Sequence, residues 1–198
     1  MKKGVEVITD PEKAKILIDP MRREMMRLLA SNPMTENELA KALGLSDPSI
    51  GYHLKILRSK GLIRRARKEV EEHGIVQKFY ETTAFACFID SRIMPLEIER
   101  YFMPVTLERA RGIVSALNLI SNNYEKIPTG ELEEFARVLS STIMSKVTRF
   151  SGNYDGDREE MIGKIYHDAL AHLVGKPDLL PGAIRSLLLR GKKARSKK

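Results

Sequence analysis

Ser49, Tyr52, Lys55 and Arg58 stand close together in the chain, and on an α-helix they lie away from the face formed by Ile50, Leu54 and Leu57. A hydroxyl, a phenol, an ammonium and a guanidinium so placed can hydrogen-bond and neutralise an anionic partner. Gly51 lies among them. A glycine inside a helix costs about 1 kcal/mol relative to alanine, and close approach of another molecule gives that loss a reason. A second cationic group follows at Arg64, Arg65 and Arg67. Guanidiniums of this density suit phosphate contacts, which supply most of the affinity for nucleic acid and make it salt-dependent. Covalent chemistry has no comparable footing. There is no G-x-S-x-G, no glycine-rich phosphate loop and no HExxH, so no enzyme is expected.

These residues need a helix and a strand pair to position them. Ser46 or Asp47 can cap a helix over 47–60, Pro48 suits its first turn, and Gly61 ends it. Ile50, Leu54 and Leu57 form its apolar face. Upstream, Asp19-Pro20 opens a helix carrying Met25, Leu28 and Leu29, which Asn32-Pro33 stops. Thr35 and Glu38 form a capping box for the next helix, whose apolar residues are Leu39, Ala40 and Leu43. Three helices with a four-residue turn before the last make a helix-turn-helix. Val5, Val7 and Ile8 form a short β-leaning run, and a brief helix spans Pro11 to Leu17. Downstream, 63–82 reads as a hairpin around EEHG, a wing beside the third helix. Along its second strand Ile75, Gln77 and Phe79 take one face, and Val76, Lys78 and Tyr80 the other. The wing tip Glu71-Glu72-His73 is acidic, so contacts are expected on the strand arginines instead.

The segment DPMRREMMRLLASNPMTENELAKALGLSDPSIGYHLKILRSKGLI, followed by a basic hairpin ending in KFYETT, resembles an ArsR-type winged helix-turn-helix transcriptional regulator. It is most similar to the long archaeal type with a helical C-terminal extension. The motifs are DPxRRxxxxLL, TxxELAxxLGLS and HLKxLxxxGLI, and the resemblance covers residues 18–83. It implies a homodimer that binds double-stranded DNA, with the third helix in the major groove and two-fold symmetric operators whose half-sites are spaced by about one helical turn. Ser49, Gly51, Tyr52, Lys55 and Arg58 on that helix, with Arg64, Arg65 and Arg67 on the wing, are the expected DNA-binding residues. Asp47 departs from the polar opening usual in the family. It either caps the helix or accepts from a cytosine amino group. The cysteine pair of metal-sensing members is absent, and no metal or other cofactor is expected.

The second half is helical. Ala84 to Asp90 is an apolar run that either packs beside the wing or starts the extension. Amphipathic helices follow from Leu96 to about Lys126, interrupted by Pro104; from Leu132 to about Phe150; from the Asp157 cap to Gly175; and from Ala183 to Arg190. The expected fold is mainly α with a small β-hairpin wing. It divides into a winged helix-turn-helix domain over 1–83, a helical dimerisation region over 84–189 with room for an effector of unknown identity, and a basic tail over 190–198.

Bulk composition agrees. The 198 residues carry a formal net charge of +8 and a pI of about 9.6, which favours anionic partners. Residues 1–83 are net +4, and without the last nine residues the remainder is net −2. Cys87 is the only cysteine, so no internal disulfide forms. Its apolar neighbours mark it as an inert buried thiol. No run of about 18 apolar residues exists to span a membrane, and no signal peptide is apparent, so a cytoplasmic location is expected. His53 is read as packing on a neighbouring helix, Asp168 and His172 as a surface ion pair, and Asp155-Gly156-Asp157 as a loop leading into a helix cap. Two alternatives to DNA binding stand beside the main reading. One is a winged-helix module that binds protein, favoured by Asp47 and the acidic wing tip. The other is an effector-gated sensor with its ligand in the helical half.

Overall fold

The computed structural model of the chain describes residues 2–70, 76–122 and 124–195, the last five as backbone only. The chain forms two compact units, one of residues 1–89 and 149–161 and one of 90–148 and 162–198. The wing tip 71–75, part of the basic tail and Asn123 lie outside the described residues.

The first unit opens with strand β1 (Lys2–Ile8), helix α1 (Pro11–Ile16) and helix α2 (Pro20–Ser31). The Asp10 carboxylate accepts from the Glu12 N–H and that of Asp19 from Met21 and Arg22, so each aspartate starts its helix with proline at the first position. Helix α3 (Glu36–Leu43) begins with the expected capping box. Thr35 Oγ1 accepts from the Glu38 N–H at 3.2 Å, and Glu38 Oε2 accepts from the Thr35 N–H at 2.7 Å. Gly44 ends α3 in the left-handed conformation (φ +64°), and Gly61 (φ +66°) does the same service just beyond helix α4 (Asp47–Ser59).

Strands β2 (Ile63–Val70) and β3 (Val76–Thr82) pair antiparallel as the wing. Both Phe79 and Tyr80 are buried, so both faces of β3 are covered where it leaves the hairpin. Met34, between α2 and α3, exchanges backbone hydrogen bonds with Tyr80 at 3.0 and 2.8 Å, which ties the wing to the helices. Strand β4 (Ala84–Ile89) departs from both readings of the apolar run: it neither joins the wing nor opens the helical extension, but pairs in parallel with β1, Val5 opposite Ala86 and Glu6 opposite Cys87. Strand β5 (Asn153–Tyr154) adds antiparallel on the other side, giving a sheet in the order β4-β1-β5. Neither the sheet nor the return of the chain to it was apparent from periodicity. The core of this unit includes Val5, Ile8, Met25, Leu29, Leu39, Ile50, Leu54, Leu57, Leu62 and Ile63.

The second unit is helical: α5 (Leu96–Ser121), α6 (Thr129–Val147), most of α7 (Arg158–Gly175) and α8 (Gly182–Arg195). Pro104 does not interrupt α5, which runs through it. The proline removes the N–H that would bond the Arg100 carbonyl, and the chain stays helical on either side. Asn122 ends α5 in the left-handed conformation (φ 51°). The Asn118 amide then holds the following turn, its Oδ1 accepting from the Glu125 N–H at 2.9 Å. Asp157 caps α7 as expected, accepting from the Glu160 N–H at 2.7 Å. Phe135, Leu139, Ile143, Ile165, Ala169, Leu173, Ile184 and Leu187 form the core. The chain is thus mostly helical, with a small antiparallel hairpin after the helix-turn-helix. No helix of the described residues is long and apolar enough to cross a membrane.

Candidate nucleic-acid interface

The interface is built on α4. Ile50, Leu54 and Leu57 are buried and fix which side of the helix faces the core. At about 100° per residue, Ser49, Tyr52 and Lys55 then fall on the outward side. Tyr52 is 61% exposed, which leaves a large aromatic ring and its hydroxyl open to a partner. Its ring stands edge-on to His53 with centroids 5.5 Å apart. His53 itself turns inward, with Nδ1 4.0 Å from the Asp19 carboxylate at the start of α2, as expected of a packing residue.

Gly51 and Arg58 fall on the flank of α4 that meets α3. A Cβ built on Gly51 would stand 2.6 Å from Glu36 Oε1, so the glycine makes room for a carboxylate of the preceding helix. Glu36 was not among the expected residues. Its signal is its place at the first position of α3, where a carboxylate complements the helix dipole. Asp47 is not the cap. Ser46 occupies that place, its carbonyl accepting from the Ile50 N–H at 3.1 Å and its side chain making no capping bond. Asp47 is the first helical residue and is exposed. A carboxylate in the first turn suits the dipole there as well.

Next to α4, the Leu62 N–H bonds the Leu57 carbonyl at 3.0 Å, which leads the chain directly into β2. Arg64, Arg65, Arg67 and Lys68 are all exposed along that strand. A register shift between Arg65 and Arg67 then divides the arginines. Arg65 stands opposite Tyr80, Arg67 opposite Phe79 and Arg64 opposite Glu81. Because facing residues of an antiparallel pair share a side, Arg64 and Arg67 share one face and Arg65 takes the other. In a regular strand Arg65 and Arg67 would lie together; the bulge re-aims one of them. The contacts agree. Arg64 Nε lies 2.9 Å from Glu81 Oε1, and the Arg67 guanidinium sits 4.1 Å from the Phe79 ring centroid while Nε reaches Glu69 Oε1 at 2.6 Å. Exposed ion pairs of this kind contribute about 0–1 kcal/mol, so their carboxylates hold these arginines only weakly.

Beside α4, the capping box of α3 perturbs Glu38. The Thr35 backbone N–H, and next the Thr35 hydroxyl, hold its carboxyl below the usual range. No group of three or more His, Cys, Asp or Glu side chains able to hold a metal is formed among the described residues.

Residues 19–65 match the family described as "Bacterial regulatory protein, arsR family". The chain is also 39% identical over 54 residues to the "Transcriptional repressor SdpR" of Bacillus subtilis (strain 168). That stretch is 27% of this chain and spans 60% of the repressor's length. The family match over 19–65 takes in helices α2, α3 and α4 and the start of β2, where the geometry above gathers the candidate residues.

Proposed function

We propose that this protein is a sequence-specific DNA-binding transcriptional regulator of the cytoplasm that works as a homodimer. The recognition helix 47–60 enters the major groove, where Ser49, Tyr52 and Lys55 meet base edges and Gly51 and Arg58 lie along the groove wall. The wing 63–82 lies on the backbone, with Arg64 and Arg67 on one face of the hairpin and Arg65 on the other available to phosphates. The observation that carries this reading is the outward row on α4, with Tyr52 61% exposed, continuing into a strand exposed from Arg64 to Val70. The similarity to an arsR-type regulator over residues 19–65 supports it.

The test is binding of a Tyr52→Ala, Arg65→Ala double variant to the promoter of the protein's own gene. The folded variant is expected to lose affinity by more than tenfold, and wild-type affinity would sink the assignment. Salt provides an independent check, since DNA binding weakens by orders of magnitude from low to high salt. A protein-binding winged helix is the second reading, favoured by the exposed Asp47 carboxylate at the head of α4; salt-insensitive capture of a partner would select it. In the helical unit, an open groove of about 540 Å³ lined by Leu96, Arg100, Met103, Pro104 and Arg137 is the place for an effector, which native mass spectrometry of the purified protein would detect.

A further inference from the structure

The outward face of α5 is built as a seam. One side of the helix buries Ala110 and Val114 against the rest of its unit. The opposite side carries Tyr101, Val105, Glu108, Gly112, Ser115 and Leu119. These follow one another in alternating steps of four and three, the a/d repeat of helices that pack along their length. The seam spans about 27 Å at 1.5 Å per residue. A helix face turned to water is normally charged. Here Tyr101 and Val105 are each 48% exposed and Leu119 is 82% exposed, and the charges stand mostly on the flanks at Glu97, Arg109 and Arg111. A Cβ added at Gly112 would meet nothing within 4 Å, so another backbone can come close there.

We infer that this seam packs against the same seam of a second copy, antiparallel, about a two-fold axis near residue 110. The inference rests on the proposed homodimer and names its surface. Spacing and charge together select the occupant. Tyr101 and Leu119 are equidistant from residue 110, as are Val105 and Ser115, and Glu108 and Gly112. An antiparallel pair therefore covers each exposed apolar end with the other and sets Glu108 against a glycine. A parallel pair would set Glu108 against Glu108 and leave two like charges facing in the seam. Within one copy Glu108 pairs with Arg111. Across an axis near 110, Arg111 of one copy also reaches Glu108 of the other, so the carboxylates and guanidiniums alternate around the axis. Isologous contact of this sort closes at two copies.

Sedimentation equilibrium of the full chain gives the first readout. Wild type is expected at twice the 22.5 kDa chain mass, and Leu119→Glu at the mass of one chain with unchanged helix content by circular dichroism. Glu108→Arg and Arg111→Glu should each weaken the dimer by about tenfold or more, and the double exchange should restore it. Orientation is read by mild oxidation in a Cys87→Ala background: Tyr101→Cys mixed with Leu119→Cys should cross-link, and neither should cross-link with itself. A monomeric wild type would overturn the homodimer reading. A dimeric wild type with an equally dimeric Leu119→Glu variant would overturn the seam alone, and self-cross-linking of Tyr101→Cys would overturn its antiparallel direction.

Discussion

Glu36 fills the space that a side chain at position 51 would need, its Oε1 standing 2.6 Å from where the Cβ of Gly51→Ala would lie. The obstacle is the far end of a flexible side chain, so alanine fits once the carboxylate moves aside. Helix propensity favours alanine by about 1 kcal/mol, and displacing Glu36 removes part of that gain. We expect Gly51→Ala to stabilise the protein by less than about 1 kcal/mol, and by the full amount when the exchange is made in a Glu36→Ala background. Thermal unfolding of the four proteins measures the coupling. DNA affinity should fall in Gly51→Ala despite the gain in stability; equal affinity would remove Gly51 from the interface.

The divided wing arginines predict separable effects. Arg67 covers the buried Phe79 with its guanidinium, so Arg67→Ala should lower both stability and DNA affinity. Arg65 faces away from Phe79 by the register shift, so Arg65→Ala should lower affinity alone. Each loss of a phosphate contact should reduce the slope of log affinity against log salt by about 0.9. Denaturant unfolding and a salt titration of binding, run on both variants, give the two readouts. Matching losses of stability in the two would mean that the bulge does not separate them.

These cases show what the sequence disclosed and what it withheld. Local chemistry was legible. The Asp19 and Asp157 caps, the Thr35–Glu38 box and the glycine stops follow from short-range rules, and they appear as expected. The inward face of α4 was legible from Ile50, Leu54 and Leu57 for the same reason. What was hidden depends on partners distant in the chain. AFACFI is a strand because β1, some eighty residues earlier, lies beside it in parallel, and strands buried in a parallel pair lack the alternation that marks a hairpin strand. The bulge in β2 is invisible to periodicity because one extra residue inverts every later side chain. Pro104 suggested a break, yet a proline ends a helix only when the surrounding packing does not hold both halves in line.

The capping box should give the first unit a pH signature. Hydrogen bonds from Thr35 depress the Glu38 pKa in the folded protein relative to its usual 4.5. A depressed carboxylate contributes stability that is fully present above its unfolded pKa and is lost as pH falls through the folded one. Wild type should therefore lose stability on acidification from about pH 5 downward, and Glu38→Gln should show a shallower loss over the same interval because it has no charge to titrate. Thr35→Ala, which removes the other half of the box, should cost about 1 kcal/mol at neutral pH. Urea unfolding at stepped pH compares the three. Parallel curves for wild type and Glu38→Gln would show that other carboxylates carry the acid response.

Cys87 offers a chemical test of how tightly the β1–β4 pair is closed. Burial pushes its thiol up to about 12 from an ordinary 9.0, and Glu6, facing it across the pair, adds to the shift. At pH 8 the native thiolate fraction is then well below that of the unfolded chain. Although Cys87 is only half-buried, reaction with a disulfide reagent should slow by more than about tenfold in the native protein and recover in denaturant. The same shift fixes a sign for alkaline stability. Above pH 9 the unfolded chain releases the thiol proton while the native state keeps it, so the native state loses stability as pH rises from 9 toward 12. Cys87→Ala, which has no proton to release, should lack that part of the alkaline loss. A native thiol that reacts within tenfold of the unfolded rate would show instead that the sheet opens readily at β4.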